Sequence, residues 1–281
     1  MPGMKWTFMS LQILDEVRSG KMTFAEMFPR ARAAGFVAYD ASDMDAEFAD
    51  REEVLRLCRE NGLKIADYIH WIHMATPDDK ALEAAIESGK QAVHTALAHG
   101  TKMLMIVEQV NRHDLEKLTR QEASRRMGCA LREIVNYADK FGVTVMVEDF
   151  PVPALPMSTS DEMKALLDAA PGLQLILDTG NMLAQKEDPL HFYQALKGHY
   201  AHVHLKDIEY PENATTGDID CDGRHIWNAQ HGEGVVNFAA LLPDLKDGFD
   251  GYVTVEYGPH EGTKDHFEKM AESIRYLEGL L

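Results

Sequence analysis

Cysteine is scarce in this sequence of 281 residues: Cys58, Cys129 and Cys221 lie far apart and form no Cys-x-x-Cys pair. That spacing argues against the disulfide framework of a small secreted domain and the paired thiolates of a zinc ribbon. Long apolar runs are missing as well, because no stretch reaches the roughly 18 residues that span a membrane. The first residues also lack the apolar segment of a signal peptide. We therefore expect a cytoplasmic protein that does not enter a membrane.

Positive charge is scarce too. The chain has 28 Lys and Arg residues against 46 Asp and Glu residues, so its formal net charge is −18. A field of that sign repels phosphate backbones and anionic membrane surfaces. We therefore predict no nucleic-acid partner and no membrane partner, and we expect a small molecule instead. A homodimer or a homotetramer is compatible with this composition.

The chain does contain a regular alternation of helical patterns and short apolar runs. Seven glycines each follow a helical pattern and precede an apolar run, where a left-handed turn releases a helix into the next strand. These glycines are Gly35, Gly62, Gly100, Gly142, Gly172, Gly198 and Gly251. With an opening strand they give eight strand–helix units, which in this length favour a closed barrel over a doubly wound sheet. We predict an α/β fold, a single (β/α)8 TIM barrel domain over residues 1–281.

The predicted element boundaries follow from the same signals. Strand one lies within residues 5–14, and the first long helix begins at Thr23 because Thr-Phe-Ala-Glu has the spacing of a capping box. Strand two is predicted at 36–39 and the next helix at 45–60. The polar segment 209–233 is predicted to be one long loop.

Four apolar runs end in a carboxylate or an imidazole. Residues i and i+2 of a strand share a face, so one parity packs under helices while the other lines the barrel. The terminal residues on strands five to eight are Glu148, Asp178, His204 and Glu256. Strand ends of this kind build the active site of such a barrel, and clustered buried acids without a cation are costly. They predict a divalent metal site, with Mn²⁺ first and Mg²⁺, Co²⁺ or Zn²⁺ as alternatives; for any one residue, a cap or a salt bridge remains open.

Five segments carry a resemblance to a known family. They are Val-Glu-Asp-Phe at 147–150, Leu-Asp-Thr-Gly-Asn at 177–181, His-Val-His-Leu-Lys-Asp at 202–207, Gly-Glu-Gly-Val-Val-Asn-Phe at 232–238 and Val-Glu at 255–256. In this order they resemble the xylose-isomerase-like TIM barrel superfamily, including its ketose 3-epimerases and hydroxypyruvate isomerases. The likeness covers nearly the whole chain and is specific for the superfamily rather than for a substrate.

The resemblance implies that the four strand-end residues hold one metal ion and that Glu148 and Glu256 act as a catalytic acid/base pair. It implies isomerisation or epimerisation of a small keto sugar or related polyol ketone through an enediolate. A metal-dependent dehydratase of a cyclic polyhydroxy ketone, such as inosose or 3-dehydroshikimate, uses the same parts and stays open. An endonuclease IV-like repair nuclease is a remote alternative, because Glu108 and Asn181 stand where it would need histidines.

Other polar residues at the predicted barrel mouth are candidate substrate contacts. His70 ends strand three, Glu108 ends strand four, and Asn181 follows the Asp178 strand end. Arg224 lies in a Gly-Arg-His segment similar to one in hydroxypyruvate isomerases, and its guanidinium suits a carboxylate or a phosphate. No glycine-rich phosphate loop follows strands seven or eight, which favours an unphosphorylated substrate.

Two residues beside His204 have less defined roles. His202 shares its face but lies one layer deeper, so we expect a satisfied interior histidine rather than a second ligand. Lys206 is either a substrate contact or the partner of Asp207.

Overall fold

A computed structural model describes residues 4–257 and 265–281. In chain order the strands are β1 (Lys5–Met9), β2 (Ala38–Ser42), β3 (Lys64–Ile72), β4 (Met103–Glu108), β5 (Thr144–Glu148), β6 (Gln174–Asp178), β7 (Tyr200–Glu209), β8 (Asp218–Ile219), β9 (His225–Ala229) and β10 (Tyr252–Glu256). Strands β1 to β7 pair with their neighbours in parallel, and β10 pairs with both β1 and β7, so the sheet closes. The predicted (β/α)8 barrel is confirmed.

Helices between the strands cover the outside of the barrel. The α-helices are α1 (Leu14–Arg18), α2 (Phe24–Ala34), α3 (Arg51–Glu60), α4 (Asp79–Ala98), α5 (Arg112–Leu115), α6 (Arg120–Ala138), α7 (Ser160–Ala169), α8 (Pro189–Ala195), α9 (Phe238–Gly248) and α10 (His266–Glu278). The predicted capping box at Thr23 and Glu26 is present at the start of α2. Among the described residues, no helix combines the length and the apolar character that a membrane crossing requires.

Among the described residues the hydrophobic core has two main compartments, one on each face of the barrel sheet, and a small third cluster of Ala184, Ile208 and Ile226. Leu104 and Ile106 of β4 belong to the larger compartment between the strands and the helices. Met105 and Val107 of the same strand belong to a smaller compartment on the inner face. This alternation follows from the two-residue period of a strand. It determines which side chains reach the interior of the barrel.

Six of the seven junction glycines have the predicted left-handed backbone, with φ between 64° and 106° at Gly35, Gly62, Gly100, Gly142, Gly172 and Gly198. The prediction is wrong at Gly251, whose φ is not in that region. Position 251 requires glycine because there is no room for a side chain. A Cβ would lie 2.9 Å from the carbonyl oxygen of Ala201 and would overlap the ring of Phe249.

Several predicted boundaries are wrong near the start of the chain. Strand one, Lys5–Met9, lies within the predicted range, but strand two begins at Ala38, two residues later than predicted, and runs to Ser42. The helix predicted at 45–60 is two pieces, a 3₁₀ helix at Asp43–Glu47 and then α3. Asp50 separates them by capping α3 with its own carboxylate, which accepts a hydrogen bond from the third backbone N–H of the helix at 2.9 Å.

The segment predicted as one long loop at 209–233 is also more ordered than expected. β7 continues to Glu209 and pairs with β9 in antiparallel fashion, and β9 pairs with β8. We call β7, β8 and β9 together the mouth hairpin. It brings Asn228 of β9 to the carboxyl end of the barrel, among the residues that line a cavity there.

Candidate metal centre

The four predicted metal ligands lie together at the carboxyl ends of β5, β6, β7 and β10. Glu148, Asp178 and Glu256 are the last residues of their strands, and His204 lies within β7. Strand register accounts for the convergence, since His204 pairs with Asp178 on one side and with Thr254 on the other. One ligand atom from each of the four lies within 4.8 Å of the others. Ligands that surround one ion at about 2.0–2.4 Å are separated by no more than this.

Two buried atoms of the cluster make no hydrogen bond, although the Lys206 ammonium is ion-paired with one of them. Nδ1 of His204 lies 2.5 Å from Oε1 of Glu148 and 3.4 Å from Oε2 of Glu256. Oδ1 of Asp178 accepts two hydrogen bonds at 2.7 Å from backbone N–H groups of the following turn. Oδ2 of Asp178 and Nε2 of His204 are buried and make no hydrogen bond. This donor set, three carboxylates and one imidazole, fits a hard or borderline divalent cation.

The protonation equilibria of the cluster reflect an excess of buried negative charge. Burial raises the pKa of Asp178 to about 8, although the Lys206 ammonium offsets part of the effect. Burial by itself would lower the pKa of His204, but the Glu148 carboxylate outweighs it and the pKa is raised well above the usual value. The pKa of Glu256 is lowered despite burial, because Lys206 and His204 stabilise its anion. A bound divalent cation would compensate the same charges.

Lys206, predicted to be either a substrate contact or the partner of Asp207, belongs to this centre. Its Nζ lies 2.6 Å from Oε1 of Glu256 and 3.1 Å from Oδ2 of Asp178, and it donates to Oδ1 of Asn181 at 2.9 Å. Lys206 does not pair with Asp207, which faces the opposite side of β7. The i, i+2 relation to His204 was the sequence signal that placed it on the inner face.

A cavity of about 330 Å³ opens onto the metal centre. Its described lining residues are Met9, Leu11, Gln12, Ile69, Trp71, Met105, Val107, Glu148, Phe150, Pro151, Asn181, His204, Lys206, Asn228 and Glu256. The lining is divided by chain position. The region of β1, β3 and β4 supplies an apolar wall, apart from Gln12, whereas the polar groups come from β5, β7, β9, β10 and the turn after β6, with Phe150 and Pro151 following β5.

Of the four predicted substrate contacts, Asn181 is among the described residues that line this cavity. His70 and Glu108 are not, because Ile69, Trp71, Met105 and Val107 take the inner face of β3 and β4. Nε2 of His70 is 2.8 Å from the hydroxyl of Ser88 on α4. Glu108 is buried and accepts hydrogen bonds from the backbone N–H groups of the loop after β3 at 2.8 and 3.2 Å.

Arg224 is also absent from the described cavity lining. Its Nε donates to Oδ2 of Asp220 at 2.9 Å, and its guanidinium lies 4.3 Å from the ring centre of Tyr210. Arg224 therefore holds the mouth hairpin together by an internal ion pair and a cation–π contact. The predictions that His70, Glu108 and Arg224 reach the substrate are not supported by these positions.

Fold and site together are those of a (β/α)8-barrel enzyme, with polar groups converging where the strands end. The chain belongs to the family described as xylose isomerase-like TIM barrel, whose family model matches residues 14–280.

Similar proteins of this family include enzymes of two reaction classes. Inosose dehydratase from Lacticaseibacillus casei is 19% identical over 235 residues, which cover 78% of this chain and 77% of that protein. L-ribulose-5-phosphate 3-epimerase UlaE from Escherichia coli (strain SE11) is 25% identical over 241 residues, which cover 81% and 80%. The solved structure of the IOLI protein with a zinc atom has a TM-score of 0.77 at 18% identity, covering 98% of this chain and 96% of that one.

Proposed function

We propose that this protein is a divalent-metal-dependent isomerase or epimerase of a small, unphosphorylated keto sugar or related polyol ketone. The observation that carries the proposal is the position of two glutamates, Glu148 and Glu256, on different strands and both against Nδ1 of one histidine. They would hold the ion together with Asp178 and His204. Mn²⁺ is our first candidate, and Mg²⁺, Co²⁺ and Zn²⁺ are alternatives. When bound, the ion would polarise a substrate carbonyl and so acidify the neighbouring C–H.

The protein's own groups would move the proton. Glu256 has a lowered pKa and is therefore ionised and able to accept a proton at neutral pH. Either Glu148, with a proton taken up from solvent, would protonate the opposite face of the same carbon while Glu256 loses its proton to solvent, or Glu256 would return its proton to the neighbouring carbon. The first outcome is epimerisation and the second is isomerisation.

Lys206 would stabilise negative charge on the substrate oxygen during proton removal. Its ammonium reaches the metal centre from β7, and the side-chain oxygen of Asn181 holds it there. An ammonium fixed in this way costs little reorganisation when the enediolate forms. Asn181 itself is held by donating to the backbone carbonyl of Asp149 at 2.8 Å.

The cavity lining favours a substrate without phosphate. Among the described residues that line the cavity, Lys206 is the only lysine or arginine, and two carboxylates already engage it. A phosphate dianion would therefore meet no unpaired positive charge there. Trp71, Leu11 and Met105 would instead pack against an apolar face of the substrate.

A second candidate function is a dehydratase, and the Lys206 ammonium is the observation that favours it. A glutamate would remove the proton beside the carbonyl, as above. The C–O bond at the next carbon would then break, and the departing hydroxide would leave as water after taking a proton from Lys206. The inosose dehydratase among the relatives carries out a reaction of this class by its name.

The test is deuterium incorporation from D₂O. The Mn²⁺-loaded protein is incubated with ketoses, ketose phosphates, hydroxypyruvate and cyclic inososes, and the metal is removed before proton NMR spectra are recorded. We expect deuterium beside a carbonyl of an unphosphorylated ketone, and no incorporation when a chelator is present from the start. An unsaturated or diketone product would instead establish the dehydratase. No exchange with any compound by the metal-loaded protein would refute both candidates.

A further inference from the structure

A second cluster of potential metal ligands lies deeper inside the barrel. It consists of Asp40 on β2, Asp67 on β3 and His202 on β7, and all three side chains are completely buried. One ligand atom from each lies within 4.8 Å of the others. We call these three residues the inner cluster.

In the inner cluster, hydrogen bonds satisfy only Oδ2 of Asp40 and Nε2 of His202. The hydroxyls of Thr7 and Thr254 donate to Oδ2 of Asp40 at 2.7 and 2.8 Å. Oδ1 of Asp40, both carboxylate oxygens of Asp67 and Nδ1 of His202 are buried and have no hydrogen-bond partner. The expectation that His202 is a satisfied interior histidine is therefore wrong.

The hydrogen bond of His202 leaves its second nitrogen available. Nε2 lies 2.7 Å from the hydroxyl oxygen of Thr254. Because that hydroxyl donates its proton to Asp40, it accepts one from Nε2, and Nδ1 then carries the lone pair. Metal-binding histidines are commonly held in this way, with one N–H bonded to a neighbour and the other nitrogen on the ion.

The charge of the inner cluster also lacks compensation. Burial raises the pKa of Asp67 well above its usual value, and the nearby Asp40 raises it further. Burial likewise raises the pKa of Asp40 to about 6. Two adjacent buried carboxylates are costly without a counter-charge, which a proton or a cation can provide. Four orphaned ligand atoms exceed what one shared proton would satisfy, and their spacing suits ligands at about 2.0–2.4 Å from one ion.

We propose that Asp40, Asp67 and His202 bind a second divalent cation, one layer beneath the candidate catalytic centre. Two carboxylates and one imidazole suit Mn²⁺ or Zn²⁺. Asp40 lies on β2, Asp67 on β3, and His202 across the barrel on β7. An ion bound by all three would connect these strands and so stabilise the closed barrel. This site does not depend on the proposed reaction, since none of its ligands lines the described cavity.

The test is a count of bound ions. Protein produced with excess Mn²⁺, and separately with excess Zn²⁺, is freed of unbound metal and its metal content is measured by elemental analysis. We expect two ions in the wild-type protein, one in Asp67→Asn, one in Asp178→Asn and none in the double variant. Asp45→Asn serves as the matched control, because Asp45 is equally buried but its oxygens are hydrogen-bonded to Ser10, Tyr39 and Ser42; it should retain two.

The competing explanation, a protonated Asp67, gives different counts. The wild-type protein would then bind one ion, Asp178→Asn none, and Asp67→Asn would bind one and unfold at a higher temperature than the wild type. Either that pattern, or a second ion that survives Asp67→Asn, overturns the proposal.

A second measurement does not depend on the folding of an inner-cluster variant. His202 and His204 are two residues apart on β7, so the two ions would lie about 7 Å from each other. The electron paramagnetic resonance spectrum of the Mn²⁺-loaded wild type should show dipolar broadening that Asp178→Asn removes. An unbroadened wild-type spectrum would contradict the inner site even if the proposed isomerase activity is found.

Discussion

Glu148 and Glu256 differ in their surroundings although both contact His204. Lys206 forms an ion pair with Glu256 at 2.6 Å, whereas Glu148 lies 2.5 Å from the histidine nitrogen. Glu256 is thus the glutamate with a cationic partner, and Lys206 together with His204 lowers its pKa despite burial.

Replacing either glutamate by glutamine should stop the reaction without unfolding the protein. Glutamine keeps the shape of the side chain but can neither accept the proton nor supply an anionic ligand. For Glu148→Gln and Glu256→Gln we expect kcat to fall by a factor of about 10²–10⁴, measured as deuterium exchange into substrate. Exposed Glu83→Gln is the control and should be unchanged. Exchange at the wild-type rate in either site variant would remove that residue from the acid/base pair.

Lys206 competes with a divalent ion for Asp178 and Glu256. Its replacement in Lys206→Met should therefore tighten Mn²⁺ binding while it lowers kcat, since the charge that stabilises the substrate oxygen is gone. We expect changes of about tenfold in each direction, as the loss of one charged hydrogen bond implies. Titration calorimetry and the exchange assay measure the two effects. Lys197→Met, which removes an exposed lysine from its pair with Asp244, is the control; equal affinity in Lys206→Met and the wild type would refute the competition.

His73, just after β3, contacts Glu108 at the end of β4 and Asp114 of α5, and should make stability depend on pH. Its hydrogen bond to Glu108, with a further contribution from Asp114, raises the pKa of His73 to about 9. The folded pKa lies above the ordinary value of about 6.5, so the stabilisation is complete below pH 6.5 and is lost as the pH rises through 9. We expect a loss of about 1–2 kcal/mol, allowing for partial solvent screening.

Denaturant unfolding at pH 6 and pH 9.5 tests this dependence. His73→Gln should be less stable than the wild type at pH 6 and nearly equal to it at pH 9.5. His113→Gln, which changes an exposed histidine of α5, should follow the wild type at both values. A wild-type stability that does not change over this interval would contradict the assignment.

The residues of the candidate metal centre could be predicted because each of them ends or lies in an apolar run. That pattern is visible within the sequence of a single strand. His70 and Glu108 were misplaced because position at a strand end was considered without the parity of the strand. Ile69 and Trp71 flank His70 in the sequence and are found on the inner face, so His70 has to face α4. Asp40 and Asp67 could not be paired from sequence, since their proximity depends on the register between strands.

At the scale of elements, one carboxylate of β7 fixes the segment that follows the mouth hairpin. Oδ2 of Asp207 accepts hydrogen bonds from the backbone N–H groups of Gly232 and Gly234 at 2.9 and 3.0 Å. Oδ1 accepts another from Val236 at 3.0 Å. This turn follows β9, the strand of the mouth hairpin that carries Asn228. The hairpin was missed in the sequence because its strands are short, polar and separated by a turn that no apolar pattern marks.

Gly234→Ala should disrupt this turn. A Cβ at position 234 would overlap Oδ1 of Asp207 and the carbonyl oxygen of Ile208, so the three N–H groups could not stay in place. We expect a loss of about 1–3 kcal/mol in the free energy of unfolding, as overpacking at a tight site produces. Gly248→Ala is the control, because the atoms nearest to its Cβ are at an ordinary 3.5 Å. Equal unfolding midpoints for the two variants would show that the turn is not rigid.

At the scale of the whole molecule, barrel closure and the candidate metal centre both depend on the pairing of β7 with β10. β10 pairs with β7 from Val253 to Glu256, and these strands carry two of the four ligands. The closed parallel barrel could be predicted from sequence, since it follows from the recurrence of strand, helix and glycine. The pairing of β7 with β10 joins segments that are separated in the sequence. Its register depends on packing between the two strands, and no residue pattern within either strand reveals it.

Removal of divalent ions should lower the melting temperature. An ion bound to the folded state alone stabilises it by mass action, and about 100-fold excess over Kd contributes about 2.7 kcal/mol. For a chain of this size we expect EDTA to lower Tm by at least about 4 °C and Mn²⁺ to restore it. Asp178→Asn should show a smaller response. A Tm that is unaffected by EDTA in the fully loaded protein would indicate that the ions do not bind preferentially to the folded state.

The cavity lining has an apolar part and a polar part, and substitutions in the two parts have different consequences. The apolar wall comes from β1, β3 and β4, in the first half of the chain, and the candidate metal centre comes from β5 onward. A substitution at Leu11, Trp71 or Met105 alters the shape offered to a substrate and leaves every charged group of the centre in place. Substrate preference and reaction chemistry can therefore vary independently within one barrel.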